Sequence, residues 1–175
     1  MPPEKRSVTF ELLFYRQLQQ VTIRIHDAEN LDQLMLESSQ DICRLLNADR
    51  LTLYALGEDK HTIVSKVKTG LATPKELKLP ISAQSIAGYV AMSKEMVNVA
   101  DVYEASSLLS IHPQLTFLQE VDKRSGYRTK QMLVLPILDR GELFGVLQVI
   151  NNKSDAPFGD LEIEDANQLC NSNSH

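Results

Sequence analysis

Cysteine is scarce in this 175-residue chain, which carries only Cys43 and Cys170. They lie far apart, match neither a metal-ligand pair nor a disulfide framework, and read as small buried residues. Positive charge is also in short supply. Eighteen lysines and arginines against 23 aspartates and glutamates leave a formal charge of −5, which argues against the extended phosphate-binding surface that dominates nucleic-acid affinity. No uninterrupted apolar run approaches the roughly 18 to 20 residues of a membrane-spanning helix. The opening Pro2, Pro3, Glu4, Lys5 and Arg6 lack the apolar core of a secretory signal. These absences predict a cytoplasmic protein with no membrane insertion and no nucleic-acid partner. His26, His61, His112 and His175 have no metal-ligand spacing, so no metal is expected. A Gly-rich phosphate loop ending in Lys-Ser/Thr is missing too, so ATP hydrolysis would have to reside elsewhere.

What is present is ordinary for a folded domain: 43% hydrophobic and 23% charged residues, in a length that favours one domain with an appended helix. Phe10, Phe14, Leu18, Val21, Ile25 and Ala28 recur at helical spacing and form one stripe, suited to a core or a partner. Asn30 is a plausible N-cap for a second helix carrying Leu31, Leu34, Met35, Ile42, Leu45 and Leu46, which Asn47 ends. The period then changes to two. Leu51 to Leu56 and Thr62 to Lys68 predict a β-hairpin, and Glu76 to Pro80 a third short strand. Ser82 or Ser85 offers a cap for a helix running to about Lys94, and Met96 to Val99 a brief strand.

Residues Ala100 to Arg128 lose simple periodicity and are too many for a mere connection, so they predict a covering loop. Met132 to Leu138 and Leu143 to Ile150 are apolar on both alternating faces, the pattern of central strands covered on both sides, with Asp139 to Glu142 as their turn. A last helix spans Asp160 to Cys170, with Leu161, Ala166 and Leu169 expected to face inward; a polar stub, Asn171 to His175, follows. The order of elements predicts an α+β architecture around one mainly antiparallel six-stranded sheet, with helices packed on one face and a helix and loop lid over the other.

Several fragments together carry a resemblance. Ser85-Ile86-Ala87-Gly88-Tyr89-Val90-Ala91, Val97-Asn98-Val99-Ala100-Asp101-Val102-Tyr103, Ser125-Gly126-Tyr127-Arg128-Thr129, Leu135-Pro136-Ile137 and Gly145 to Lys153, in this order and spacing, resemble a GAF domain. The Gly-Tyr-Arg-Thr stretch is most similar to GAF domains of cyclic-nucleotide phosphodiesterases and adenylate cyclases. Asp101 to Gln119 and Thr129-Lys130-Gln131-Met132 also resemble GAF domains attached to bacterial secretion or pilus ATPases. The resemblance divides the chain into an N-terminal dimerisation or linker helix over 1–30, the GAF domain over 31–170 and the stub 171–175.

That resemblance implies a non-catalytic sensory or regulatory module. It implies a homodimer joined through its N-terminal helices, with a cyclic nucleotide as the leading ligand and a tethered or separate effector under its control. The alternative it leaves open is a ligand-free dimerisation scaffold, for example of a secretion or pilus ATPase. The implied ligand-binding residues are Ser85, Ile86, Ala87, Gly88, Val90, Asp101, Asp122, Ser125 and Thr129. A helix N-terminus near Ser85 suits an anion, and the hydroxyls of Ser125 and Thr129 could read a base or sugar. The same residues also read as a capped helix filling a core and as loop-stabilising side chains, and Arg128 as an ion-pair partner or an anion clamp. Nucleotide-binding relatives carry a structural clasp, to which Asn152, Lys153 and Phe158 correspond. Here Glu162 and Ile163 replace its acidic pair, leaving Glu162 to pair with Lys153. Some GAF proteins reduce methionine sulfoxide or attach a bilin through a thiol on the covering loops, but residues 100–129 contain no cysteine.

Overall fold

The computed structural model describes residues 39, 42–68 and 76–171. The expected helix over 1–30, most of the second helix and the stub beyond Asn171 lie outside the described residues. After helical residues 42–45 the chain runs through β1 (Ala48–Leu56), β2 (Thr62–Lys68), β3 (Lys78–Pro80), α1 (Ile86–Ser93), β4 (Val97–Val99), α2 (Ala105–Leu109), α3 (Glu120–Ser125), β5 (Met132–Asp139), β6 (Glu142–Asn152) and α4 (Asp160–Cys170). The strands form one six-stranded sheet in the order β3-β2-β1-β6-β5-β4, and every neighbouring pair is antiparallel. The fold is the α+β arrangement expected.

Alternation along the central strands sorts side chains onto two faces. Leu51, Leu53 and Ala55 of β1, Leu133, Leu135 and Ile137 of β5, and Leu147 and Val149 of β6 pack with Leu46, Phe158 and the buried side of α4. Tyr54, Met132, Val134 and Val146 face the other way, against α1 and the buried Val102, Leu108 and Leu115 of the covering segment. The strands therefore read as almost wholly apolar because both faces are covered. β5 and β6 meet in a two-residue turn whose Arg140 (φ 55°) and Gly141 (φ 79°) both have positive φ, the geometry that matches the twist of a hairpin.

Two expectations are corrected. The covering segment is not wholly irregular, since it contains the short helices α2 and α3; neither is long enough to show a hydrophobic period. Leu161 does not face inward: it is 73% exposed, whereas Ala166, Leu169 and Cys170 are buried. Five residues separate Leu161 from Ala166, which at about 100° per residue turns it about 140° away from that stripe.

Candidate functional site

Ser85 is the N-cap of α1. Its extended backbone (φ −143°, ψ 160°) lets Oγ accept from the Gly88 backbone N–H at 3.0 Å, which satisfies one of the first-turn donors. Ser82 forms only a local turn, accepting from Gln84 N–H at 3.3 Å. The first turn of α1 is pressed onto the chain leaving β3, and a Cβ at Gly88 would collide with the carbonyl oxygens of Pro80 and Ser82. The glycine is thus required by close backbone approach.

Between this helix turn, the lid face of the sheet and the covering segment lies a cavity of about 80 Å³. Its floor comes from β1, β5 and β6 through Thr52, Tyr54, Met132, Gln148 and Ile150. Leu77 and Leu79 close one side, and Ser85, Ile86 and Ala87 of the α1 turn form another. Phe117, Leu118, Asp122 and Thr129 complete the roof and far wall. Asp122 is the sole charged residue in this lining. The Tyr54 phenol is buried and hydrogen-bonded to the Gln148 side chain; burial pushes its pKa well above the ordinary tyrosine range.

Asp122 is 8% exposed and Thr129 4%, and the two form the polar centre of the far wall. Asp122 Oδ2 accepts from the Tyr103 hydroxyl at 2.6 Å and from Thr129 N–H at 2.8 Å. Its Oδ1 accepts from Thr129 Oγ1 at 2.8 Å. Tyr103 is held edge-on by Phe117, with ring centroids 5.3 Å apart. Desolvation, reinforced by the bond to Asp122, pushes the Tyr103 phenol up to about 12. Arg128 stacks its guanidinium over the Tyr103 ring at 3.9 Å, a cation–π contact in place of the expected ion pair.

Of the nine ligand-binding residues anticipated, the structure gathers Ser85, Ile86, Ala87, Asp122 and Thr129 around the cavity. Gly88 and Val90 are buried in the core beside it. Asp101 accepts from the Tyr103 backbone N–H at 3.0 Å in a local turn, and Ser125 accepts from Tyr127 N–H at 3.3 Å at the end of α3; neither lines the cavity. Thr52, Tyr54 and Gln148 escaped sequence reasoning, although their place opposite inward Leu51, Leu53, Leu147 and Val149 in the strand alternation was the available signal.

The four residues assigned to the clasp surround the turn after β6. Asn152 accepts from Asn47 Nδ2 at 2.7 Å and from Ser154 N–H at 2.9 Å, and the Phe158 carbonyl accepts from Asn98 Nδ2 at 3.1 Å. Glu162 does not pair with Lys153. Its Oε1 accepts from Gly159 N–H at 3.2 Å, capping its own helix, and the ion pairs found among the described residues join Lys78 to Asp59, Arg124 to Glu120 and Lys130 to Asp155. Glu162 stands three positions after the Gly159 donor at the helix start, which favours the local bond over a longer exposed pair. Among the described residues no cluster of three or more His, Cys, Asp or Glu could hold a metal ion, and no helix is long and apolar enough to cross a membrane.

The arrangement of helices, six-stranded sheet and lid around this cavity is that of a small α+β domain. The chain belongs to the GAF family, whose domain model matches residues 30–172. It is 35% identical over 135 residues to a dual 3',5'-cyclic-AMP and -GMP phosphodiesterase 11A of Takifugu rubripes, covering 71% of this chain and 14% of that protein. It is 30% identical over 144 residues to the probable 3',5'-cyclic phosphodiesterase pde-5 of Caenorhabditis elegans, covering 76% of this chain and 18% of that one. The chain thus spans less than a fifth of these curated relatives, and the matching parts are their GAF regions. Among solved structures, the GAF domain of a phosphoenolpyruvate-protein phosphotransferase from Coxiella burnetii superposes with a TM-score of 0.64 at 23% identity, covering 91% of this chain and 89% of that one. That likeness is one of fold.

Proposed function

We propose that this domain is a non-catalytic sensor: a small molecule, with a cyclic nucleotide as first candidate, enters the cavity beneath the lid and changes the state of a tethered or partner effector. The observation that supports it is the convergence of Thr52, Tyr54, Ser85, Asp122, Thr129 and Gln148 on an otherwise apolar enclosure, the composition of a small-molecule site. Kinship with phosphodiesterase GAF regions directs the choice of ligand. At about 80 Å³ the enclosure is well short of the roughly 300 Å³ at which ligand pockets begin. A nucleotide therefore enters only with outward movement of the lid, and that movement is the signal. Binding shifts the domain only to the extent that the open lid is bound more tightly than the closed one. Asp101 and Ser125 join the site only if that movement brings them in. The N-terminal helices over 1–30 carry the change as a homodimer in the cytoplasm.

A second reading, a ligand-free assembly domain, is favoured by one feature. The single lining carboxylate already accepts three hydrogen bonds from within the chain, and no lining cation awaits a phosphate. Calorimetry and thermal melting with cyclic AMP, cyclic GMP and cyclic di-GMP separate the two. A binder present at 100 times its Kd stabilises the fold by about 2.7 kcal/mol. Heat with a matching melting shift for one compound supports the sensor. Absence of both, with all three at millimolar concentration, removes cyclic nucleotides and leaves the assembly role. Replacing Leu18 and Ile25 by Glu gives monomers in sedimentation if the N-terminal stripe is the dimer contact; unchanged dimers overturn that assignment.

A further inference from the structure

Two tyrosines of the lid are held in the same way. Tyr103 donates its hydroxyl to Asp122 Oδ2 at 2.6 Å and carries the Arg128 guanidinium on its ring at 3.9 Å. Tyr127 donates to Asp49 Oδ2 at 2.5 Å and carries the Arg50 guanidinium at 3.5 Å. The first cluster borders the cavity, because Asp122 forms part of its wall. The second lies where the chain leaves helical residues 42–45 and enters β1. Tyr127 and Arg128 are consecutive, so a single peptide unit bears the ring of one cluster and the guanidinium of the other.

Asn151 fixes this unit to the end of β6. Its Nδ2 donates to the Tyr127 hydroxyl at 2.8 Å and to the Arg128 carbonyl at 2.9 Å, while its Oδ1 accepts from the backbone N–H groups of Lys130 at 2.7 Å and Gln131 at 3.1 Å. Next to Asp49, Asn47 donates to Asn152 and Ser154 and its carbonyl accepts from Lys153 N–H, so the entrance to β1 is tied to the turn before α4. The planar peptide holds the two Cα atoms at a fixed separation, so a displacement of that unit carries both residues with it. Both clusters combine a charge-assisted O–H to carboxylate bond with a cation–π contact, so each has an energetic stake in where that peptide sits.

We propose that the Tyr127–Arg128 unit couples the cavity wall to the entrance of β1: loosening the Asp122 cluster loosens the Asp49 and Arg50 cluster, and the reverse. The coupling belongs to the chain itself and stands whether or not any ligand is found. It gives helical residues 42–45, which lead into β1, a direct mechanical sense of lid position.

Hydrogen exchange on the full chain and on Tyr103→Phe, Tyr127→Phe and the double variant tests it. Each single change is expected to speed amide exchange at the other cluster, Tyr103→Phe at Asp49 and Arg50 and Tyr127→Phe at Thr129, by about five- to tenfold, the scale of one ordinary hydrogen bond. The amides at the centre of β6 keep their rates. In the double variant the acceleration falls below the product of the singles, as for sites sharing one element. Thr62→Val, which removes a bond to Asp59 in a distant turn, leaves both clusters unchanged. Should a phenylalanine variant fold poorly, Asp49→Asn on the exposed side must still accelerate exchange at Thr129. Effects confined to the mutated cluster, or a double variant equal to the product, overturn the proposal.

Discussion

Replacing Asp122 by Ala removes an acceptor that serves three donors, and the cost can be worked donor by donor. The Tyr103 hydroxyl is half-buried and can turn towards water, so its loss is small. Thr129 is 4% exposed, and both its N–H and its hydroxyl lose their partner. A buried polar group left without a partner costs about 1 to 3 kcal/mol, so the two together predict a loss of about 2 to 6 kcal/mol. Asp122→Asn is the informative comparison. An amide oxygen in the Oδ2 position still accepts from Tyr103 and Thr129 N–H, and the amide nitrogen in the Oδ1 position can donate to the Thr129 hydroxyl, which accepts as readily as it donates. Only the charge assistance is lost, predicting about 1 kcal/mol. Equilibrium unfolding in urea, with both variants showing the wild-type slope, reads the difference directly. If Asn is as damaging as Ala, the hydrogen-bond account of the wall is wrong; if Ala costs under about 1 kcal/mol, Asp122 does not hold the lid.

On α4, Leu169→Ala should cost about 2 to 5 kcal/mol and Leu161→Gln less than about 0.5 kcal/mol, because one residue is 3% and the other 73% exposed; equal losses in urea unfolding would contradict the packing. The phenols of Tyr54, Tyr103 and Tyr127 are all raised, each foremost by desolvation, so the folded state holds protons that the unfolded chain releases near pH 10. The resulting stabilisation is complete below about pH 10 and, for Tyr103, disappears as pH climbs through about 12. Ultraviolet titration should show these phenols ionising only as the fold opens, and a reversible ionisation of all tyrosines near pH 10 in the folded protein would refute it. Burial pushes the Cys43 thiol up to about 11 and raises Cys170 further. Neither should react with iodoacetamide at pH 8 until denaturant is added; rapid labelling of either native thiol would sink the assignment.

The sheet was legible because its central strands are local patterns: Met132 to Leu138 and Leu143 to Ile150 are apolar on both alternating faces apart from Gln148, the composition of a strand covered on both sides. The α1 cap was equally legible, since Ser85 stands immediately before an apolar helical run. The lid was legible as a covering segment but its two helices were not, because α2 and α3 are shorter than two helical turns and leave no period to detect. Half of the polar lining, three of six residues, was missed for a different reason. Thr52, Tyr54 and Gln148 occupy strand positions whose polarity looks like an ordinary solvent face until something is laid over it. The contact between Tyr127 and Asp49 joins residues 78 positions apart, and nothing near either one in sequence announces the other.

β1 finds its partner at the far end of the domain, Ala48 against Asn152. During synthesis, the hairpin of β1 and β2 must therefore wait with one edge bare while residues 69–152 emerge. A nascent chain stopped within the lid exposes Leu51, Leu53 and Ala55 together with an unpaired row of amides, the template on which aggregates grow. Translation arrest before β6 is accordingly the point at which this domain most needs a chaperone.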